Sequence, residues 1–181
     1  MVEDWLANAY DGLSRREFLA GVGIAGAGLA GFALAATPVA GKVIATSAEG
    51  LVAADGTVLS GGFAVPVYEV RPAAAGKFPV VIVIPEVFGM HEHIRDVTRR
   101  FAREGYLAVT FEPYAREGGV LHLPDIDAVR KVVDPVPDAR VMADLDAIVA
   151  WAKKHPSARP DRVGMTGFCR GGLYTLLYAA R

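Results

Sequence analysis

Cysteine is nearly missing from this chain: the 181 residues include one, Cys169. That excludes an intramolecular disulfide and any metal site built from cysteines alone. An excess of either charge is missing too, since 19 basic and 20 acidic side chains leave a net charge of −1. Such a balance offers no electrostatic case for nucleic acid or for an anionic membrane surface. After Cys169, the stretch Arg170 to Arg181 holds neither Asp nor His; the four histidines, His91, His93, His122 and His155, all come earlier. There is no internal repeat. Apolar residues, by contrast, make up 52% of the chain and charged ones 22%, with a mean hydropathy of +0.31. A disordered chain is excluded on that composition, and the length suits one ordinary domain.

Much of the hydropathy lies near the N-terminus. Phe18 to Gly41 runs 24 residues without a charge. Ser14-Arg15-Arg16-Glu17-Phe18-Leu19 precedes it, and a paired arginine followed by an aromatic and a leucine matches the twin-arginine export signal. The usual following lysine is replaced by Ala20. The run is long enough to span hydrocarbon, but Gly21, Gly23, Gly26, Gly28 and Gly31 weaken both helix propensity and insertion. The expectation is a signal segment over 1–40, cleaved between Ala33 and Ala48, and a domain over 41–181. The chain would then meet the twin-arginine export machinery and be periplasmic or otherwise extracytoplasmic. An uncleaved membrane anchor over 18–41 is the alternative. Folded export suits a chain whose lone thiol needs no oxidative folding.

Beyond the leader, strand and helix signals alternate. Lys42 to Val70 reads as short β segments, with turn chemistry at Ala54-Asp55-Gly56 and Ser60-Gly61-Gly62. Pro66 demotes Phe63–Val70 toward an edge strand. Val80 to Ile84 is five consecutive β-branched residues closed by Pro85, the mark of a strand buried on both faces of a parallel sheet. Ile94, Val97, Phe101 and Ala102 recur at helical spacing up to Gly105. Tyr106–Phe111 is a second buried strand, and Asp138–Lys154 a helix with Val141, Leu145, Ile148 and Ala152 on one face. Asp125 to Arg140 reads as a helix-and-loop connection. Arg162–Thr166 is a third strand, leading through Gly167-Phe168-Cys169-Arg170-Gly171-Gly172 into an apolar helix over Leu173–Ala180. The class is α/β, with parallel strands and helical crossovers.

Gly167-Phe168-Cys169-Arg170-Gly171 between strand and helix carries the chemistry. A side chain at the tip of a sharp strand-to-helix turn is exposed and strained, and glycines two residues to either side let backbone pass without a clash. Cys169 then stands at a helix N-terminus, where the macrodipole favours a thiolate, and the Arg170 amide can donate to a developing oxyanion. The bland alternative is a small buried cysteine in an ordinary turn. A phosphate loop is set aside, because neither Gly-x-Gly-x-x-Gly nor a Gly-Lys-Ser/Thr ending is present. The second signal is Glu86, a carboxylate just past the buried strand, on the edge where α/β sites assemble; its bland alternative is a solvated loop acid.

Val-Ile-Val-Ile-Pro-Glu-Val-Phe-Gly (81–89), Gly-Tyr-Leu-Ala-Val (105–109), Pro-Tyr-Ala-Arg (113–116) and Val-Gly-Met-Thr-Gly-Phe-Cys-Arg-Gly-Gly (163–172) resemble the dienelactone hydrolases. These are the carboxymethylenebutenolidase branch of the α/β-hydrolase fold. The resemblance runs from about Gly61 to the last residue. It implies a mainly parallel sheet, Cys169 as nucleophile, Glu86 as the acid that contacts the resting thiol, and the backbone amides of Val87 and Arg170 as the oxyanion hole. The implied reaction is attack on a small-molecule ester or lactone, through an acyl-enzyme released by water. No cofactor and no metal is implied. A His-x-His metal site at His91 and His93 would need further ligands.

In that fold the acid and histidine follow the nucleophile, and here neither follows Cys169. His91 and His93 are the nearest substitutes for the base. The expectation is an N-terminal part lacking its last strands and helices, with the elbow strand left as an exposed sheet edge and little or no esterase turnover alone. A non-catalytic remnant completed by a separately encoded C-terminal complement is the competing class. A thiol redox protein is a third, weakened by the absence of a resolving cysteine. Arg116 or Arg130 could recognise a substrate carboxylate, and Phe168 and Tyr114 could line a pocket or merely pack.

Overall fold

Gly61 and Gly62 adopt φ of +54° and +80°, the backbone that a two-residue hairpin turn demands and that only glycine takes without cost. They join β1 (Leu51–Ser60) to β2 (Phe63–Pro72), which pair antiparallel from Leu51–Pro72 to Ser60–Phe63. This computed structural model describes residues 45–181. The arginine pair and the apolar run expected to form an export signal lie outside the described residues.

Three further strands complete the sheet: β3 (Phe78–Ile84), β4 (Leu107–Phe111) and β5 (Ala158–Gly167), in the order β1-β2-β4-β3-β5. β3 pairs parallel with β4 on one side and β5 on the other, while β2 meets β4 antiparallel. The sheet is therefore mixed, and parallel where the strand-to-helix turns lie. Helices α1 (Glu92–Arg103), α2 (Ile126–Val133), α3 (Asp138–Lys154) and α4 (Arg170–Ala179) follow β3, β4 and β5. No described helix is long and apolar enough to cross a membrane.

The core is the one the β-branched run implies. Every residue from Val80 to Ile84 and from Leu107 to Phe111 is buried, with α1, α3 and α4 packed against β3 and α1 against β4. On α3 the stripe Val141, Leu145, Ile148, Ala152 is buried as predicted. On α1 the stripe differs: Ile94, Thr98 and Ala102 face inward, while Val97 and Phe101 are half-buried. Thr98 can occupy an apolar face because its hydroxyl donates to the Ile94 carbonyl at 2.8 Å. Arg99 beside it is satisfied by Glu92, Asp96 and the Thr46 carbonyl.

Three expectations need correction. Ala54-Asp55-Gly56 is not a turn but the middle of β1, where the ladder with β2 is unbroken and Asp55 takes a bidentate ion pair from Arg95. Pro66 does not mark an edge strand, since β2 lies between β1 and β4. It stands just outside the Val67–Val70 ladder with β4 and supplies only its carbonyl, to the Glu112 amide, so its missing N–H is not needed. β5 begins at Ala158, four residues before the predicted start, with Pro160-Asp161-Arg162 looped out of register opposite Pro79–Val80. Among the described residues β5 does end the sheet.

Candidate active site

Strand register brings the two predicted groups to one rim. Ile84 is the last residue of β3, and its partner across the parallel ladder is Gly167, the last of β5. Glu86 lies two residues past the first and Cys169 two past the second. The elbow is also tied to the end of β3 directly. Phe168 N–H donates to the Ile84 carbonyl at 3.3 Å, and Gly171 packs so close that a Cβ there would lie 2.3 Å from the Ile84 oxygen and 2.6 Å from the Pro85 oxygen.

The elbow is a β-turn of four residues, Phe168 to Gly171, closed by the Gly171 N–H donating to the Phe168 carbonyl at 2.8 Å. Cys169 occupies its first central position with φ +50° and ψ −116°, the type II′ geometry that normally requires glycine. Among the described residues it is the only non-glycine with positive φ. A side chain held there is strained by about 1–3 kcal/mol, and the reward is its aim: Cys169 is exposed at the N-cap of α4. Gly167 is equally forced, since a Cβ would meet the Gly171 oxygen at 2.2 Å. Both glycines of the motif are thus demanded by backbone packing, and the buried-cysteine alternative is excluded. The amides of Val87 and Arg170 donate to no backbone acceptor among the described residues.

The loop after β3 is fastened at several points. Gly89 N–H donates to the Glu86 carbonyl at 3.1 Å, and His91 N–H to the Gly89 carbonyl at 2.9 Å. The Glu86 carboxylate accepts from His91 Nε2 at 2.8 Å, with the two side chains 19% and 11% exposed. Burial disfavours the charge on Glu86, but hydrogen bonds from His91 and its own backbone amide outweigh it, and the carboxyl is held below its ordinary value. Glu86 Oε2 is buried without a partner among the described residues, so the hydrogen-bonded contact between Glu86 and the resting Cys169 thiol that the resemblance implies is not made here: the carboxylate is turned to His91 instead. Across the rim Glu112, just past β4, accepts from the Met90 amide at 2.7 Å and the Tyr114 amide at 3.0 Å. Burial dominates there and pushes its carboxyl up. Gly89, at φ +70°, is pressed against Glu112: a Cβ there would lie 2.4 Å from the carboxylate, which would have to shift.

Arg116 spends both terminal nitrogens on the fully buried Asp144, at 2.6 and 2.9 Å, and on the Ser60 carbonyl. Arg130 pairs with Asp134 on an exposed face. The Arg170 side chain turns away along α4 to the Tyr174 hydroxyl and to Asp134, leaving its amide at the elbow. Tyr114 is fully buried with its hydroxyl unpartnered among the described residues, and burial pushes its phenol up. Phe168 is 41% exposed beside the cysteine. His122 is exposed on a loop and His93 stacks on His91. His155 at the end of α3 faces Glu69. Among the described residues no three His, Cys, Asp or Glu side chains form a metal-binding group. A groove of about 540 Å³ lies over β3 and β5, lined by Val81, Phe101, Tyr106 and Met165 among others. Neither Cys169 nor Glu86 lines it.

Sequence reasoning did not single out Glu112 or the pairing of His91 with Glu86. Glu112 was within reach, because the rule that marks Glu86, a carboxylate just past a buried parallel strand, applies equally to the residue after Phe111. The His91 pairing depends on how a five-residue loop folds back and leaves no local signal.

The chain is similar to known proteins in sequence and in fold. The Dienelactone hydrolase family model matches residues 65–181. A carboxymethylenebutenolidase-type protein of Methylorubrum extorquens is 50% identical over 145 residues, covering 79% of this chain and 50% of the relative. One from Escherichia coli K12 is 45% identical over 146 residues, covering 80% and 54%. A crystal structure of a dienelactone hydrolase-type protein of Klebsiella pneumoniae superposes with a TM-score of 0.69 at 47% identity, over 72% of this chain and 55% of that one. The chain spans about half the length of the curated relatives it matches.

Proposed function

The chain belongs to the dienelactone hydrolase family, and on that footing we propose that Cys169 is the nucleophile of an ester- or lactone-cleaving acyl transfer. The observation that carries the reading is the strained, exposed conformation of Cys169 at the tip of a turn whose two glycines are fixed by packing. In the proposed step the Cys169 sulfur forms a bond to the carbonyl carbon, and the C–O bond of the ester breaks. The leaving oxygen departs as the alcohol, carrying the proton given up by the Cys169 thiol, and a thioester remains on the enzyme. The amides of Val87 and Arg170 would receive the carbonyl oxygen as it gains charge. Glu86 places its carboxylate on the same rim. Hydrolysis of the thioester needs a base to activate water; His91 at this rim is engaged by Glu86 and His93 is exposed, so the proposal for this chain is acylation with little steady turnover.

The test is acetyl transfer from p-nitrophenyl acetate. Peptide mapping is expected to find one hydroxylamine-labile acetyl group on Cys169, absent from Cys169→Ala. Acetylation spread over lysines and unchanged in that variant would refute the reading, and robust Cys169-dependent turnover would refute its second half.

A second reading, a half-domain that acts with a C-terminal complement, is favoured by the apolar face of α4, where Leu173, Leu176 and Leu177 are exposed beside the strand that ends the described sheet. Export by the twin-arginine route belongs to the same proposal and rests on Arg15, Arg16, Phe18 and Leu19. Replacing both arginines by lysine is expected to retain the product in the cytoplasm on fractionation; unchanged export would reject it.

A further inference from the structure

We propose that His91 is a positioning residue for Glu86, fixing the direction of its carboxylate along the rim beside the Cys169 elbow. The inference deepens the acyl-transfer reading, and rests on it for the claim that this carboxylate matters to the thiol. The first observation is the 2.8 Å contact between His91 Nε2 and Glu86 Oε1, made by two side chains that are largely covered. Solvent-exposed pairs hold little orientation; a covered one, with a charge-assisted hydrogen bond, does.

The second observation is what His91 forgoes. It is the N-cap of α1, with extended backbone at φ −80° and ψ 173°, yet its side chain makes no capping hydrogen bond. Serine, threonine, aspartate or asparagine would satisfy the helix end at such a position. A ring that leaves the amides unserved and reaches back five residues is directed at the carboxylate. Its own base is fixed by His91 N–H donating to Gly89 and the His91 carbonyl accepting from Arg95 at 3.1 Å. The ring also stacks on His93, 6.1 Å between centroids and 15° between planes.

The third observation is the division of labour at Glu86. One oxygen is engaged by His91, and the other is buried without a partner among the described residues. A carboxylate anchored through one oxygen presents the other in a fixed direction. The titratable groups around this pair are His93 at the start of α1, Glu112 past β4, on which the His91 charge acts, and Cys169 across the rim.

The experiment titrates Glu86 in the full chain by carboxyl carbon NMR, with the resonance assigned by its loss in Glu86→Gln. In His91→Phe the proton affinity of Glu86 is expected to rise about tenfold, the equivalent of one charge-assisted hydrogen bond. His91→Gln retains an N–H donor of similar reach and is expected to recover at least half of that change, whereas the shorter His91→Asn is expected to recover none. As the sole thiol, Cys169 supplies a second readout through iodoacetamide alkylation across about pH 5 to 9. His91→Phe is expected to change that profile severalfold, and to change it no further when Glu86 is already Gln. A Glu86 titration indifferent to His91, or an alkylation effect of His91→Phe that persists in full in the Glu86→Gln background, would overturn the proposal. Failure of the acyl-transfer reading looks different: no acetyl group on Cys169 while the Glu86 titration still follows His91.

Discussion

Replacing Cys169 by glycine should stabilise this protein relative to replacing it by alanine. Ordinarily the order is reversed, because glycine gains more conformational freedom on unfolding and costs about 0.4–1 kcal/mol. At residue 169 the backbone stands at φ +50° and ψ −116°, where any Cβ is strained by about 1–3 kcal/mol. The side chain is exposed, so no burial contribution complicates the comparison. The strain exceeds the entropy cost, and the net preference for glycine is about 1 kcal/mol, or roughly 2–5 °C in Tm for a domain of this size. Urea denaturation of Cys169→Gly and Cys169→Ala, with equal m-values, measures it. Residue 169 is also an N-cap, where glycine is favoured over alanine for a separate reason. His91, an N-cap in extended backbone with no capping hydrogen bond, provides the control: glycine and alanine there should differ only by that smaller preference. If the preference for glycine at 169 is no greater than at 91, the elbow stores no strain and the case for a nucleophile held in readiness fails.

Gly171→Ala would place a Cβ 2.3 Å from the Ile84 oxygen and should cost about 3 kcal/mol as α4 is pushed from the end of β3; a loss under 1 kcal/mol in urea would show that the contact gives way easily. Asp144→Ala removes the partner of a mostly covered Arg116 and is expected to cost about 3 kcal/mol, against little change for Arg130→Ala on its exposed face. The two rim carboxylates should act on acid stability with opposite signs. Glu86 is held below its ordinary 4.5, so it stabilises above that value and the contribution is lost as pH falls through the folded-state value; Glu86→Gln should flatten the acid limb. Glu112 is raised above 4.5, so its contribution declines as pH rises from 4.5 through the folded-state value, and Glu112→Gln should remove that decline; an unchanged pH profile in both variants would refute the assignment.

How legible this molecule was depended on whether the determining contacts were local. The run Val80–Ile84 could mean little but a strand covered on both faces, and the spacing of Val141, Leu145, Ile148 and Ala152 fixed α3 to the residue. The elbow was readable because its requirement is local as well: two glycines around one cysteine, each now explained by a neighbouring carbonyl. Pro66 and Asp55-Gly56 misled because their roles are set across strands, by where the β4 ladder begins and by Arg95 forty residues on. The α1 stripe misled because Thr98 counts as polar in a sequence and as apolar once its hydroxyl is bonded to Ile94. Arg116 looked available for an anionic substrate; nothing near it in sequence announces Asp144.

The same distinction explains how the rim is kept in register. Two residues at equal distance past the ends of adjacent parallel strands stay neighbours only if the ladder between those strands does not slip, and a slip of one residue moves them about 3.3 Å apart. Between β3 and β5 the sequence has a mismatch to absorb, since Pro160-Asp161-Arg162 find no partner on β3. The irregularity falls at Pro79–Val80, the end of the ladder remote from Cys169, and from Val80–Val163 to Ile84–Gly167 the pairing is continuous. A bulge can therefore accommodate the entry of β5 without disturbing its exit, where Ile84 accepts from Phe168 and is pressed by Gly171. The sharing of one rim by Cys169 and Glu86 is thus set by five consecutive strand pairs and two glycines. Those pairs, more than any single side chain at the rim, are what hold the elbow against the end of β3.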